Sequence, residues 1–324
     1  MKLQLDIQIK RPSSLITFSD SIFLIGSCFT GNIGVQLSQL KFNTIHNPTG
    51  ILFDPKSIAT HLEHIVSGKT YTESDTFYMN EVCSSWLHHS DFNGMTCDEC
   101  INLINEATQR AHLFLLRANK LVITLGSAFH YVLADNDMPV ANCHRAPSAW
   151  FTKKLIRATE VADMLRNAIT AVRKVNPDIT VIFTVSPVRH IRDGVVENNL
   201  SKAQLITAVH QLCDELTNLH YFPAYEIVVD VLRDYRFYDI DMVHPNYLAT
   251  QIVADYFLQN YFDERTRAII PGIKQLTTAM NHRPRNPLSM QHKQFLQIHL
   301  DLCRQLQQKL PHLNFNNEQA YFST

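Results

Sequence analysis

The run Ile22-Phe23-Leu24-Ile25 is apolar without interruption, stops on Gly26, and passes through Ser27-Cys28-Phe29-Thr30 into a helical pattern. A strand that is apolar on both faces must be covered on both, which is the habit of parallel strands flanked by helices. The arrangement recurs along the 324 residues. Short apolar runs at 22–25, 42–45, 121–125, 180–185 and 225–231 alternate with helical spacings at 32–40, 55–66, 101–116, 151–175, 202–219 and 245–262. That alternation predicts an α/β fold in three layers, α/β/α, on a mainly parallel sheet. Pro55 follows Asp54 and Pro245 follows His244, positions that suit the first turn of a helix.

Such sheets bind ligands at the carboxyl ends of their strands. With only nine glycines in the chain, it matters that Gly26 and Gly126 close predicted strands and that Gly50 lies shortly after another. Ser27 and Cys28 are therefore two potential nucleophiles in a strand-to-helix turn, where free N–H groups and the helix dipole stabilise an anion. Near the other end, Asp241-Met242-Val243-His244-Pro245-Asn246 opens a helical pattern. A carboxylate three residues before a histidine can orient the imidazole while its other nitrogen serves as base. Arg189-His190 follows the run 180–185, again at a strand's carboxyl end, and offers cations for a carboxylate or phosphate on a substrate.

Gly26-Ser27-Cys28-Phe29 resembles the signature of GSCFA domain proteins, a branch of the SGNH (GDSL-like) hydrolase superfamily. The similarity continues in order through Asn47-Pro48-Thr49-Gly50, Trp86-Leu87-His88-His89, Thr124-Leu125-Gly126-Ser127-Ala128, Asn142-Cys143-His144-Arg145, Val185-Ser186-Pro187-Val188-Arg189-His190 and Asp241-Met242-Val243-His244-Pro245-Asn246. It spans about the first four-fifths of the chain. The resemblance implies an SGNH-like fold and hydrolysis or transfer of an acyl group from a small-molecule or carbohydrate ester or thioester, without an organic cofactor. It places Cys28 at the nucleophile, with Ser27 beside it as the alternative, and Asp241 and His244 at the orienting carboxylate and the base. The N–H groups of Cys28 and Gly50 would bind the oxyanion. The superfamily's third block, Gly-x-Asn-Asp, reads Gly126-Ser127-Ala128-Phe129 here, so its asparagine amide is missing. Asn142, His144 or His190 would have to replace it from another loop. His89, Gly126, His144, Arg189 and His190 are the expected substrate contacts.

A formal net charge of −1 argues against a broadly basic nucleic-acid surface. No stretch approaches the roughly 18 apolar residues of a membrane span, and residues 1–10 alternate like a strand and lack a signal-peptide apolar region. The expectation is a soluble cytoplasmic protein with neither nucleic acid nor membrane as partner. Seven scattered cysteines fit reduced thiols, and Cys97-Asp98-Glu99-Cys100 reads as two incidental thiols at a helix start. The sixteen histidines include no H-E-x-x-H or two-cysteine, two-histidine spacing, so no metal is expected. Near residue 264 the character changes, dividing a catalytic domain, 1–263, from a helical extension, 264–324. Helices at 265–280 and 289–310 would pack on the domain as a hairpin or form a homodimer interface. Three classes stay open: an acyl-processing enzyme, a lapsed enzyme that binds without catalysis, and a scaffold that associates through its tail.

Overall fold

The computed structural model describes residues 5–323. The first half of the chain runs β1 (Ser21–Gly26), α1 (Cys28–Gln39), β2 (Asn43–His46), α2 (Pro55–Ser67), the hairpin β3 (Phe77–Met79) and β4 (Val82–Ser84), and α3 (Cys97–Leu115). Then come β5 (Lys120–Leu125), three short strands β6 (Phe129–Leu133), β7 (Pro139–Val140) and β8 (Phe151–Leu155), and α4 (Ala158–Val175). The second half continues with β9 (Thr180–Val185), α5 (Val195–Glu215), β10 (Leu219–Phe222), α6 (Ala224–Glu226) and α7 (Tyr247–Tyr261). A tail of α8 (Glu264–Met280), α9 (Met290–Lys309) and α10 (Asn316–Phe322) follows.

The central sheet has the order β10-β9-β5-β1-β2, and every pairing in it is parallel. Side chains alternate across a strand, so each strand feeds two cores. Ile22, Leu24, Val122, Ile182 and Phe222 face one core with α1, α7 and the tail helices. Phe23, Ile25, Ile123, Phe183 and Val185 face the other with α2, α3, α4 and α5. The result is the expected three layers. From β1 the chain goes to β2 on one side and later to β5 on the other, so the order reverses beside the carboxyl end of β1. In open α/β sheets that switch point is where ligands bind.

Asp54 caps α2 by accepting the Ser57 N–H at 2.9 Å, and Pro55 takes the first turn as its fixed φ favours. Pro245, expected in the first turn of the next helix, instead precedes the cap: Asn246 caps α7 by accepting the Ala249 N–H at 3.1 Å.

Several expectations are corrected. The run 225–231 is not a strand: α6 leads into a π-helical segment, Ile227–Leu232, which buries Ile227, Val228, Val231 and Leu232 at helical spacing. Short β-branched runs do not by themselves separate strand from helix. The strand in that place is β10, whose His220 and Tyr221 break the apolar run. The helix expected at 151–175 begins only at Ala158, because residues 151–155 alternate in burial and pair antiparallel with β6. Residues 5–10 form no strand, and residues 1–4 of that expectation lie outside the described ones.

The cysteines also depart from the expectation of reduced thiols. Gly94 and Cys83 exchange both backbone hydrogen bonds, at 2.8 and 3.1 Å, and this bridge brings Cys83 to Cys97, with which it forms a disulfide. Cys97 is thus paired across the fold rather than standing as an incidental thiol beside Cys100.

The tail packs on the domain as a hairpin. Ile270, Ile273, Leu276, Leu300, Cys303, Leu306 and Phe322 join the core made by α1 and α7. No helix among the described residues is long and apolar enough to cross a membrane.

Candidate active site

Gly26 has a φ of +141°, and a Cβ there would lie 2.1 Å from the carbonyl oxygen of Thr124. Only glycine permits this close passage between β1 and β5. The turn is also held by Ser27, whose N–H donates to Thr124 O at 3.2 Å, and by Asn47, which accepts the Gly26 N–H at 2.9 Å. The chain therefore enters α1 in one fixed direction, with Cys28 as the first helical residue.

The Cys28 thiol faces the N–H groups of Phe29 and of Cys28 itself, with the Lys202 ammonium close enough to act on it. Burial nevertheless dominates and pushes the thiol above its ordinary value; those N–H groups and Lys202 pull in the opposite direction. Ser27, the other potential nucleophile, is 1 % exposed, and its hydroxyl neither caps the helix nor finds a partner. Cys28 is the more accessible of the two.

Asp241 and His244 form the arrangement their spacing suggested. Asp241 Oδ2 lies 2.6 Å from His244 Nδ1, while Oδ1 accepts the N–H of Val243 at 2.9 Å and of His244 at 3.0 Å. The His244 N–H first, then its ring and the Val243 N–H, pull the carboxyl down to about 2. The imidazole is thereby fixed with Nε2 outward. The loop is tied to the sheet by the Arg189 N–H, which donates to Val243 O at 3.1 Å just beyond the carboxyl end of β9. Among the described residues no hydrogen bond joins His244 to Cys28. His190 feels the charges of both His244 and Lys202, and Lys202 feels that of Cys28.

His190 packs edge-on to Phe53, with ring centroids 5.6 Å apart, and its Nε2 would lie 3.4 Å from a Cβ on Gly126. That nitrogen is buried without a partner. Burial, with Lys202 and His244 adding, pushes the imidazole down to about 3, so it is neutral. Its proton can sit on either nitrogen, as a substrate group requires.

Other expected contacts lie elsewhere or are engaged. The Gly50 N–H, expected at the oxyanion, donates to Asn47 O at 2.9 Å in a turn, and His89 Cβ stands 2.4 Å from where a Cβ on Gly50 would be. His89 itself pairs with Asp91 at 3.0 Å. Asn142 accepts the His144 N–H at 2.9 Å and reaches only Ser90 Oγ, at 3.5 Å, through its amide. His144 Nε2 lies 2.9 Å from Ser85 O, and its ring packs against Phe77 and Trp86. Arg189 stacks on Tyr238, 4.1 Å from the ring centroid, rather than standing open to an anion. Ala128 is fully buried, and its N–H donates to Ser201 Oγ at 2.7 Å.

Lys202 was missed by sequence reasoning. It is 1 % exposed and donates to Gly126 O at 2.6 Å and Ser186 O at 2.7 Å. The signal was present. On α5 the buried stripe Leu205, Ala208, Val209 and Leu212 continues backward at the same spacing through Lys202, Ser201 and Asn198. Polar residues that prolong an apolar stripe point to a polar interior beneath the helix's first turns.

Comparison with known proteins finds two matching families: the GSCFA family over residues 21–257, and the GSCFA domain protein C-terminal domain over residues 273–324. No curated protein matches the chain. Solved structures that resemble it include a Clostridium thermocellum family 3 carbohydrate esterase, at 11 % identity and a TM-score of 0.35, covering 79 % of this chain and 98 % of that one. A carbohydrate esterase family 3 protein from Talaromyces cellulolyticus aligns at 11 % identity and a TM-score of 0.35, covering 79 % of this chain and 99 % of that one. Likeness this distant carries no argument about activity.

Proposed function

Because this chain belongs to the GSCFA family, whose signature turn here carries Cys28, we propose that it is an enzyme that hydrolyses or transfers acyl groups from small-molecule or carbohydrate esters or thioesters. The observation that carries the reading is the Asp241–His244 pair, closed at 2.6 Å and tied to the carboxyl edge of the sheet on which Cys28 opens α1.

The burial that raises the thiol makes a base necessary. His244 Nε2 takes the thiol proton as the sulfur attacks the acyl carbon, and Asp241 stabilises the imidazolium that results. The carbonyl π bond opens to an oxyanion that the helix N-terminus receives. As the oxyanion collapses, the bond to the alcohol or thiol breaks, and that group leaves with the proton from His244. Water or a second acceptor then releases the acyl group from Cys28 by the same steps. Contact between His244 and Cys28 forms on substrate binding, since catalytic hydrogen bonds tighten in the reacting complex. With the Gly50 amide engaged, Cys28 N–H is one oxyanion donor, and the weakly held Asn142 amide or His190 is the second. Loss of one such donor costs about 10²–10³ in rate.

The test is a panel of short-chain aryl esters and thioesters assayed with wild type, Cys28→Ala, His244→Ala, Asn142→Ala and His190→Ala. Turnover abolished by the first two and reduced about 10²-fold by one of the last two is the expected result. Turnover that survives Cys28→Ala, or wild type without turnover on any substrate, overturns the reading, the latter in favour of a binding module.

A further inference from the structure

Lys202 continues a buried apolar stripe, and a buried ammonium is costly unless it is compensated. Its two acceptors, Gly126 O and Ser186 O, lie one residue beyond β5 and β9, whose last residues pair Leu125 with Val185. Carbonyls satisfy two of its three N–H directions but supply no negative charge. Among the described residues no carboxylate pairs with it. The titratable groups that face it are Cys28 from α1, His190 from the loop after β9, and the Tyr225 ring from α6, 5.9 Å from Nζ. His190 is neutral and feels in addition the charges of His244, Lys153 and Arg192. Tyr225 is pushed above the ordinary tyrosine range by its own burial. That leaves Cys28 as the facing group whose ionisation supplies the missing negative charge, against the burial that holds its thiol above the ordinary value.

We propose that Lys202 is a positioning residue for the nucleophile, its ammonium fixed at the ends of β5 and β9 as the counter-charge for a Cys28 thiolate. The inference rests on the reading of Cys28 as nucleophile and deepens it. Burial drives the lysine down to about 7, with Cys28 opposing, and drives the thiol up, with Lys202 among the groups opposing. Each group thus favours the charged form of the other, and linkage makes the coupling reciprocal. The step moves one proton from sulfur to His244 or solvent; no other bond changes.

The experiment follows iodoacetamide labelling of Cys28 across pH 5–10 by peptide mass spectrometry, in wild type, Lys202→Met and Lys202→Arg. An opposite charge nearby is worth about one pH unit or more. Lys202→Met should therefore label about tenfold more slowly at pH 7 with its midpoint moved up, and Lys202→Arg should return towards wild type. A Lys202→Met profile superimposed on wild type overturns the inference. Should Lys202→Met not fold, ¹³C NMR of the lysine ε-carbons in wild type and Cys28→Ala reads the same coupling from the other partner: the Lys202 midpoint should fall without the thiol, and an unmoved midpoint overturns the pairing. Ester turnover that persists in Cys28→Ala while the coupling is present would remove the nucleophile and leave the charge pair standing.

Discussion

At Gly26 a single missing Cβ decides where the chemistry stands. A methyl group there would meet Thr124 O at 2.1 Å on a backbone whose φ of +141° already disfavours any side chain. Gly26→Ala should therefore cost about 2–4 kcal/mol, combining backbone strain with overpacking. Urea unfolding reads this, and a midpoint equal to wild type would show that the turn is not so confined. Asp241 holds His244 Nδ1 at 2.6 Å, and in the proposed mechanism this leaves Nε2 as base. Asp241→Asn keeps the shape but offers the wrong tautomer, so turnover should fall on the order of 10⁴-fold with substrate affinity nearly unchanged. An equal loss in both variants, Asp241→Asn and His244→Ala, would mean that the imidazole has no function without its partner. Undiminished turnover in Asp241→Asn contradicts the assignment.

The elements show what a sequence can and cannot display. Strands β1, β5 and β9 were legible because burial on both faces keeps the interior of each run apolar apart from single threonines, Thr124 in β5 and Thr184 in β9. The segment 225–231 was not, because β-branched residues fill a π-helical turn as well as a strand and the run is too short for its period to decide. The Asp241–His244 pair was legible because both partners lie three residues apart on one loop. Lys202 and the engagement of the Gly50 amide were not, since one depends on a contact across 76 residues and the other on the exact fold of a turn. The disulfide escaped for a similar reason: Cys83 and Cys97 meet only once β4 pairs with Gly94. It closes a loop with a sequence separation of 14, so removing it should cost about 3 kcal/mol. Urea midpoints of wild type against the Cys83→Ser, Cys97→Ser double variant measure this, and equal midpoints would show that the bond adds nothing.

Across the whole molecule, the three-layer sandwich brings the proposed site to the carboxyl edge of its sheet and holds a separate cluster of histidines on and beside α2. His61 Nε2 lies 2.7 Å from Leu87 O, His64 Nδ1 lies 2.8 Å from Tyr71 OH, and the His61 and His88 rings meet at 5.0 Å. Burial pushes His61 and His64 down to about 4 and His88 well below its ordinary value. Between pH 6.5 and 4 the unfolded chain thus binds protons that the folded one refuses, so stability is lost as the pH falls through that window, on the order of 3 kcal/mol from His61 alone. Urea midpoints at pH 7.5 and 5.0 should separate more for wild type than for His61→Gln, and an equal drop in both would clear His61 of the effect. The central claim is that Cys28 carries the acyl group, and the most direct measurement is intact-protein mass spectrometry after rapid quenching of the reaction with an aryl acetate, followed by peptide mapping. The account predicts one acetyl group, on Cys28, absent from Cys28→Ala and slow to form in His244→Ala. An acetyl group on any other residue, or ester turnover with no adduct at Cys28 under quenching, would contradict it.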